Sequence, residues 1–104
     1  MTVQGEMMKE PYVICRYIDQ PLLVGEKKFD LRIYVLVTSY KPLKVWLSSQ
    51  GFARFCNEKY SNDLSESDNL MAHLTNVAVQ KKAEDYNSDH GSKWSIENLK
   101  LYLQ

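Results

Sequence analysis

At 104 residues, 44% of them hydrophobic, the chain has material for one small core and too little for two domains. Thirteen basic residues balance thirteen acidic ones, so the chain lacks the general positive field by which a protein grips nucleic acid or an anionic membrane. No signal peptide, long apolar run or Asn-x-Ser/Thr acceptor is present, and neither nucleic acid nor membrane is expected as a partner.

Residues 1–10 read as an irregular lead-in. Residues 12–18, YVICRYI, are β-branched and aromatic, which predicts a strand. Asp19-Gln20-Pro21 breaks it, and Gly25-Glu26 predicts a turn. From Phe29 to Val37 the pattern has period 2. Phe29, Leu31, Ile33, Val35 and Val37 fall on one side, and Lys28, Asp30, Arg32, Tyr34, Leu36 and Thr38 on the other. Lys41-Pro42 reads as a turn and LKVWLSS (43–49) as a second strand. Gln50-Gly51 predicts a tight connection and FARF (52–55) a third strand, so the whole reads as an antiparallel meander.

The polar stretch 57–70 predicts a loop. HLTNVAVQ (73–80) is a compact apolar segment with Thr75 and Asn76 inside it, and 81–93 is another loop. Ser95 is the expected N-cap of a closing helix, with Trp94 stapling onto Leu99 and with Ile96, Leu99 and Leu103 on one face. The sequence stops inside that amphipathic helix, which predicts a piece of something larger or a truncated gene product. Cys15 and Cys56, the only cysteines, are expected to be reduced and buried. His73 and His90 complete a Cys2His2 set on paper, but the spacing fits no zinc pattern.

Lys27–Arg32, KKFDLR, puts charge ahead of an apolar run. Period 2 places Lys28, Asp30 and Arg32 on one strand face, with Lys28 and Arg32 about 13 Å apart. That span suits an extended nucleotide: a lysine offers phosphate a point charge, an arginine offers a planar fork, and an aspartate between them can orient both. The plainer reading is a solvated sheet face with salt links. No glycine-rich phosphate loop is present.

Four blocks in order, PLLVGEKKFDLRIYVLV, GFARF, HLTNVAVQK and HGSKW, resemble the tubulin–tyrosine ligase-like family, in particular its ciliary and flagellar polyglutamylases. The resemblance covers residues 11–104. It implies an α/β (α+β) fold, the antiparallel-sheet central part of an ATP-grasp-like ligase. Residues 1–104 would be a partial domain lacking the N-terminal portion and the C-terminal metal-binding portion. The implied reaction uses ATP and Mg²⁺ to join free glutamate to a glutamate side chain of a tubulin tail, through a carboxylate activated as an acyl phosphate.

The resemblance also implies roles. Cys15, Arg16, Tyr17 and Ile18 fall at the adenine-contacting hinge, where Cys15 replaces the family's frequent Gln. Lys28 and Asp30 match its nucleotide-contacting Lys-x-Asp, and Arg32 completes that motif toward the reaction centre. Thr75 and Asn76 match a nucleotide-contacting pair. Arg54 and Lys93 match residues that hold the glutamate substrate, and Val77 and Ala78 stand where backbone contacts to it are made. Taken singly, Arg54 also reads as a snorkelling surface residue, Lys93 beside Trp94 as a cation–π pair, and Thr75-Asn76 as a self-bonded turn. The family's metal ligands fall after Gln104, so the chain alone is expected not to ligate.

Implied partners are microtubules, tubulin tails and accessory subunits. Implied locations are the cytoplasm and cytoskeleton, at the axoneme and basal body of a cilium or flagellum. A non-catalytic tubulin- or axoneme-binding remnant and a tubulin glycylase are the alternatives.

Overall fold

A computed structural model describes residues 2–3, 6–7, 10–84, 86–87 and 92–104. Strands β1 (Thr2–Val3) and β2 (Glu6–Met7) form a small antiparallel pair. The main sheet has four strands in the order β3-β4-β5-β6, all neighbours antiparallel: Leu23–Val24, Lys27–Tyr40, Leu43–Phe55 and Lys93–Ser95.

Gly25 and Glu26 join β3 to β4 with φ of 58° and 64°. Positive φ at both central residues defines the type I′ turn, whose twist matches a hairpin. Lys41-Pro42, with a cis peptide bond, turns β4 into β5 as expected.

Two expectations change. Residues 12–18 form no strand, and all of them are exposed. Propensity makes a strand only where a neighbour takes its backbone hydrogen bonds, and the described sheet offers this segment none. Gln50-Gly51 is no turn: 43–49 and 52–55 are one strand, and Gly51 lies opposite Ile33 within it. A Cβ on Gly51 would sit 2.7 Å from the Arg32 carbonyl oxygen and 3.0 Å from Ile96 Cγ1, so the glycine permits a close approach. The register shifts between Ile33 and Val35, where β5 carries the extra residues as a bulge. HLTNVAVQ (73–80) runs from the last residue of α1 (Leu70–His73) through Leu74-Thr75-Asn76 into α2 (Val77–Gln80), each helix a single turn. Loop 57–70 also holds a 3₁₀ turn at Leu64–Glu66, capped by Asp63, and Asn69 caps α1.

Helix α3 (Ile96–Leu103) starts as its sequence predicts, with Ser95 Oγ accepting from Asn98 N at 3.2 Å. Its buried Leu99 packs with Val24, Ala53 and Phe55, and Phe29 closes the cluster. Trp94 packs its ring on Phe55 (centroids 4.8 Å) and Tyr102 (5.6 Å). This core lies on the odd-numbered face of β4 and β5, leaving the charged face to other partners. Toward its tip the β4–β5 hairpin is a bare ribbon. Val35, Val37, Val45 and Leu47 on one side, and Leu36 and Trp46 on the other, are all exposed. The chain accordingly exposes 8841 Å², where a compact monomer of 12.1 kDa exposes about 6,000 Å².

The cysteines differ from expectation as well. Both are free, but only Cys56 is buried, whereas Cys15 sits in the unpaired segment 12–18 and is exposed.

Candidate functional site

The charged residues meet through strand register. Asp30 on β4 faces Arg54 on β5, and Arg54 faces Lys93 on β6. Facing residues share a side of the sheet, so the three form a row across strands spaced about 4.8 Å apart. One pleat along β4, Lys28 joins the row at one end. One pleat the other way, Arg32 stands beside Phe52 and Phe52 beside Ser95. A single face therefore carries Lys28, Asp30, Arg32, Arg54 and Lys93.

The row is held internally. Arg54 donates from Nε to Asp30 Oδ1 at 2.8 Å and from Nη2 to Oδ2 at 2.5 Å, a bidentate pair. Arg54 holds the Asp30 carboxyl below its usual range, partial burial opposes this, and the neighbouring Thr75 hydroxyl assists. Asp30 in turn raises the Arg54 pKa. Arg54 is thus a fixed fork rather than a snorkelling side chain. One edge of the guanidinium is committed to Asp30, and Nη1 remains for another acceptor. Lys93 Nζ lies 5.1 Å from the Phe52 ring centroid, so its cation–π partner is Phe52 and not Trp94. Among the described residues the Arg32 side chain makes no ion pair or hydrogen bond.

At the other end, Lys28 Nζ donates to the His73 carbonyl at 2.8 Å and stands 5.6 Å from the Tyr17 ring centroid. One of its three donors is spent and two remain. Nε2 of His73 faces the Glu66 carbonyl at 3.1 Å, so Nε2 carries the proton and Nδ1 accepts from Tyr17 OH at 2.8 Å. Tyr17 is exposed on its outer side, but partial desolvation on its inner side, and next the neighbouring Tyr60, push its phenol up to about 12, keeping it a donor. These contacts pin segment 12–18 above the Lys28 end of the face. His73 thus orients Tyr17, and among the described residues no cluster of His, Cys, Asp and Glu could hold a metal.

A small cleft joins several expected residues: Arg54, Thr75, Val77 and Lys93 line it together with Gln80 and Tyr86. Thr75 is buried, while Asn76 and Ala78 are exposed beside it and Asn76 precedes α2. Cys15, Arg16 and Ile18 are exposed in the segment that Tyr17 anchors, and the structure gives their side chains no contact with the cleft. His90 and Gly91 of the HGSKW block lie outside the described residues.

Sequence reasoning passed over Gln80. Its signal was a polar residue ending an apolar run, and the structure buries it.

A mixed α/β chain with a basic sheet face matches the model of the Tubulin-tyrosine ligase family over residues 2–104, and it belongs to that family. It is 59% identical over 102 residues to a probable alpha-tubulin polyglutamylase, Ttll1, of Tetrahymena thermophila, covering 98% of this chain and 25% of the relative. It is 50% identical over 100 residues to a probable tubulin polyglutamylase, TTLL9, of Bos taurus, covering 96% and 21%. It is 42% identical over 104 residues to the tubulin polyglutamylase TTLL5 of Homo sapiens, covering 93% and 8%. The chain therefore spans a quarter or less of the length of these relatives.

Proposed function

We propose that this chain is the central part of an ATP-grasp-like ligase that attaches glutamate to glutamate side chains in the acidic tails of tubulin. The observation that carries the reading is the cross-strand row Asp30–Arg54–Lys93 with Lys28 and Arg32 on the same face. Its similarity to polyglutamylases supports the choice of glutamate over glycine. Two free Lys28 donors suit a polyphosphate, and segment 15–18, anchored by Tyr17 to His73, forms the adenine side, with the Thr75-Asn76 turn following His73 in the chain. Arg54 Nη1 and Lys93 Nζ receive the glutamate carboxylates, backed by Val77 and Ala78. Arg32, whose side chain has no partner among the described residues, neutralises charge developing at the reacting centre. ATP supplies the leaving group that activates the acceptor carboxylate.

The described residues do not fit a Mg²⁺ site. Asp30 is the only carboxylate on the four strands of the sheet, and Arg54 occupies it. On this reading the protein works on microtubules, in the axoneme and basal body of a cilium or flagellum, with accessory subunits.

The test replaces the matching segment of the Tetrahymena relative with this chain and supplies ATP, tubulin and labelled glutamate or glycine. Glutamate incorporation is expected. Arg54→Ala should lower it about 10- to 100-fold, the worth of a charge-assisted hydrogen bond, while sparing ATP binding. Equal loss of both, or glycine incorporation in place of glutamate, refutes the assignment.

A further inference from the structure

Gln80 is 1% exposed, and its side chain serves three backbone groups. Oε1 accepts from Asn57 N at 2.8 Å, while Nε2 donates to the Met71 carbonyl at 3.2 Å and to the Leu74 carbonyl. Two carbonyls and one N–H around a single tip require an amide: glutamate has no donor when ionised, and methionine has neither donor nor strong acceptor.

Two of the three groups adjoin different pieces of the candidate site, and the third, the Met71 carbonyl, belongs to α1. Leu74 immediately precedes Thr75 and Asn76. Asn57 follows the end of β5, three residues beyond Arg54. Asn57 Oδ1 also accepts from Ser92 Oγ at 2.7 Å, the Ser92 carbonyl accepts from Phe55 N at 2.7 Å, and Lys93 is the next residue. One buried side chain thus ties the 74–76 turn to β5, and Asn57 carries the tie on to β6. Gln80 also lines the cleft shared by Arg54, Thr75, Val77 and Lys93.

We propose that Gln80 is a positioning residue for ligation: it sets the separation between the Thr75-Asn76 turn and the Arg54–Lys93 row, so that nucleotide and amino acid are held together in reacting geometry. This rests on the ligase reading above. Its role does not require contact with either reactant: Gln80 acts through the backbone of Leu74, beside Thr75-Asn76, and of Asn57, close to Arg54. A shift of about 1 Å between such groups costs on the order of 10²-fold in rate.

The experiment uses the same full-length graft into the Tetrahymena relative. Gln80→Met removes all three bonds at nearly constant side-chain length. It should raise KM for both ATP and glutamate and lower kcat/KM on the order of 10²-fold. Loss of packing alone would reduce the active fraction and leave both KM values unchanged, and that result overturns the proposal. Should Gln80→Met fail to fold, Gln80→Glu keeps the bond to Asn57 and loses both donations. Its KM values should move toward those of the unsubstituted graft as the pH falls and the buried carboxyl gains one proton, which restores one of the two donations. KM values that ignore pH overturn the proposal. An unsubstituted graft that ligates no amino acid overturns the ligase reading, and the positioning role with it; an active graft with an indifferent Gln80 overturns only the latter.

Discussion

Replacing Asp30 by asparagine removes a full charge from the centre of the row while keeping its size. The pair closes at 2.8 and 2.5 Å, with the Arg54 side chain 19% and the Asp30 side chain 40% exposed. Near a protein surface, unit charges about 4 Å apart attract by about 4 kcal/mol, most of which is offset by desolvation and side-chain ordering. A bidentate charge-assisted pair, discounted for this exposure, retains about 1–2 kcal/mol. Asp30→Asn should lower the unfolding free energy by that amount at pH 7, and a double-mutant cycle with Arg54→Met should give a coupling of about 1 kcal/mol.

The sign with pH follows from the direction of the shift. Arg54 holds the folded-state carboxyl below its ordinary value of 3.8. The stabilisation is therefore complete above about pH 5 and drains away as the pH falls through the folded-state pKa. Urea unfolding followed by tryptophan fluorescence reads both effects, since Trp94 is stacked in the core. A coupling near zero at pH 7, or a deficit in Asp30→Asn that persists unchanged in acid, would refute the reasoning.

Gly51→Ala should destabilise the chain by about 1–3 kcal/mol, because the new methyl meets the Arg32 carbonyl at 2.7 Å and β4 must move; an unchanged urea midpoint would count against that close approach. The two thiols should separate by reactivity. Burial pushes Cys56 up to about 11, so at pH 8 an alkylating reagent should label the exposed Cys15 and spare Cys56 until the chain unfolds, as peptide mass spectrometry would reveal.

Local rules reached the features that local physics decides. The period-2 stripe of 28–32, the turn at Lys41-Pro42 and the Ser95 cap each depend on residues a few positions apart. The strand expected at 12–18 failed because pairing is a property of two segments, and only one was visible. Gln50-Gly51 carries the letters of a turn, but the glycine answers to Arg32 and Ile96, each well removed along the chain. The Asp30–Arg54 pair spans 24 residues and the Gln80–Asn57 bond 23, distances over which one sequence carries no contact information. Which face gathered the charges was legible; that half of the Arg54 fork was already taken was not.

Adjacent positions on β5 serve opposite duties: Phe55 and Ala53 fill the core, and Arg54 between them points into the charged face. A slip of β5 by one residue would bury a guanidinium under α3 and leave an aromatic ring among the lysines. No form slipped by one residue could keep the charged row while losing the packing, or the reverse. Selection for a well-packed interior therefore proofreads the alignment of the charged row each time the chain folds.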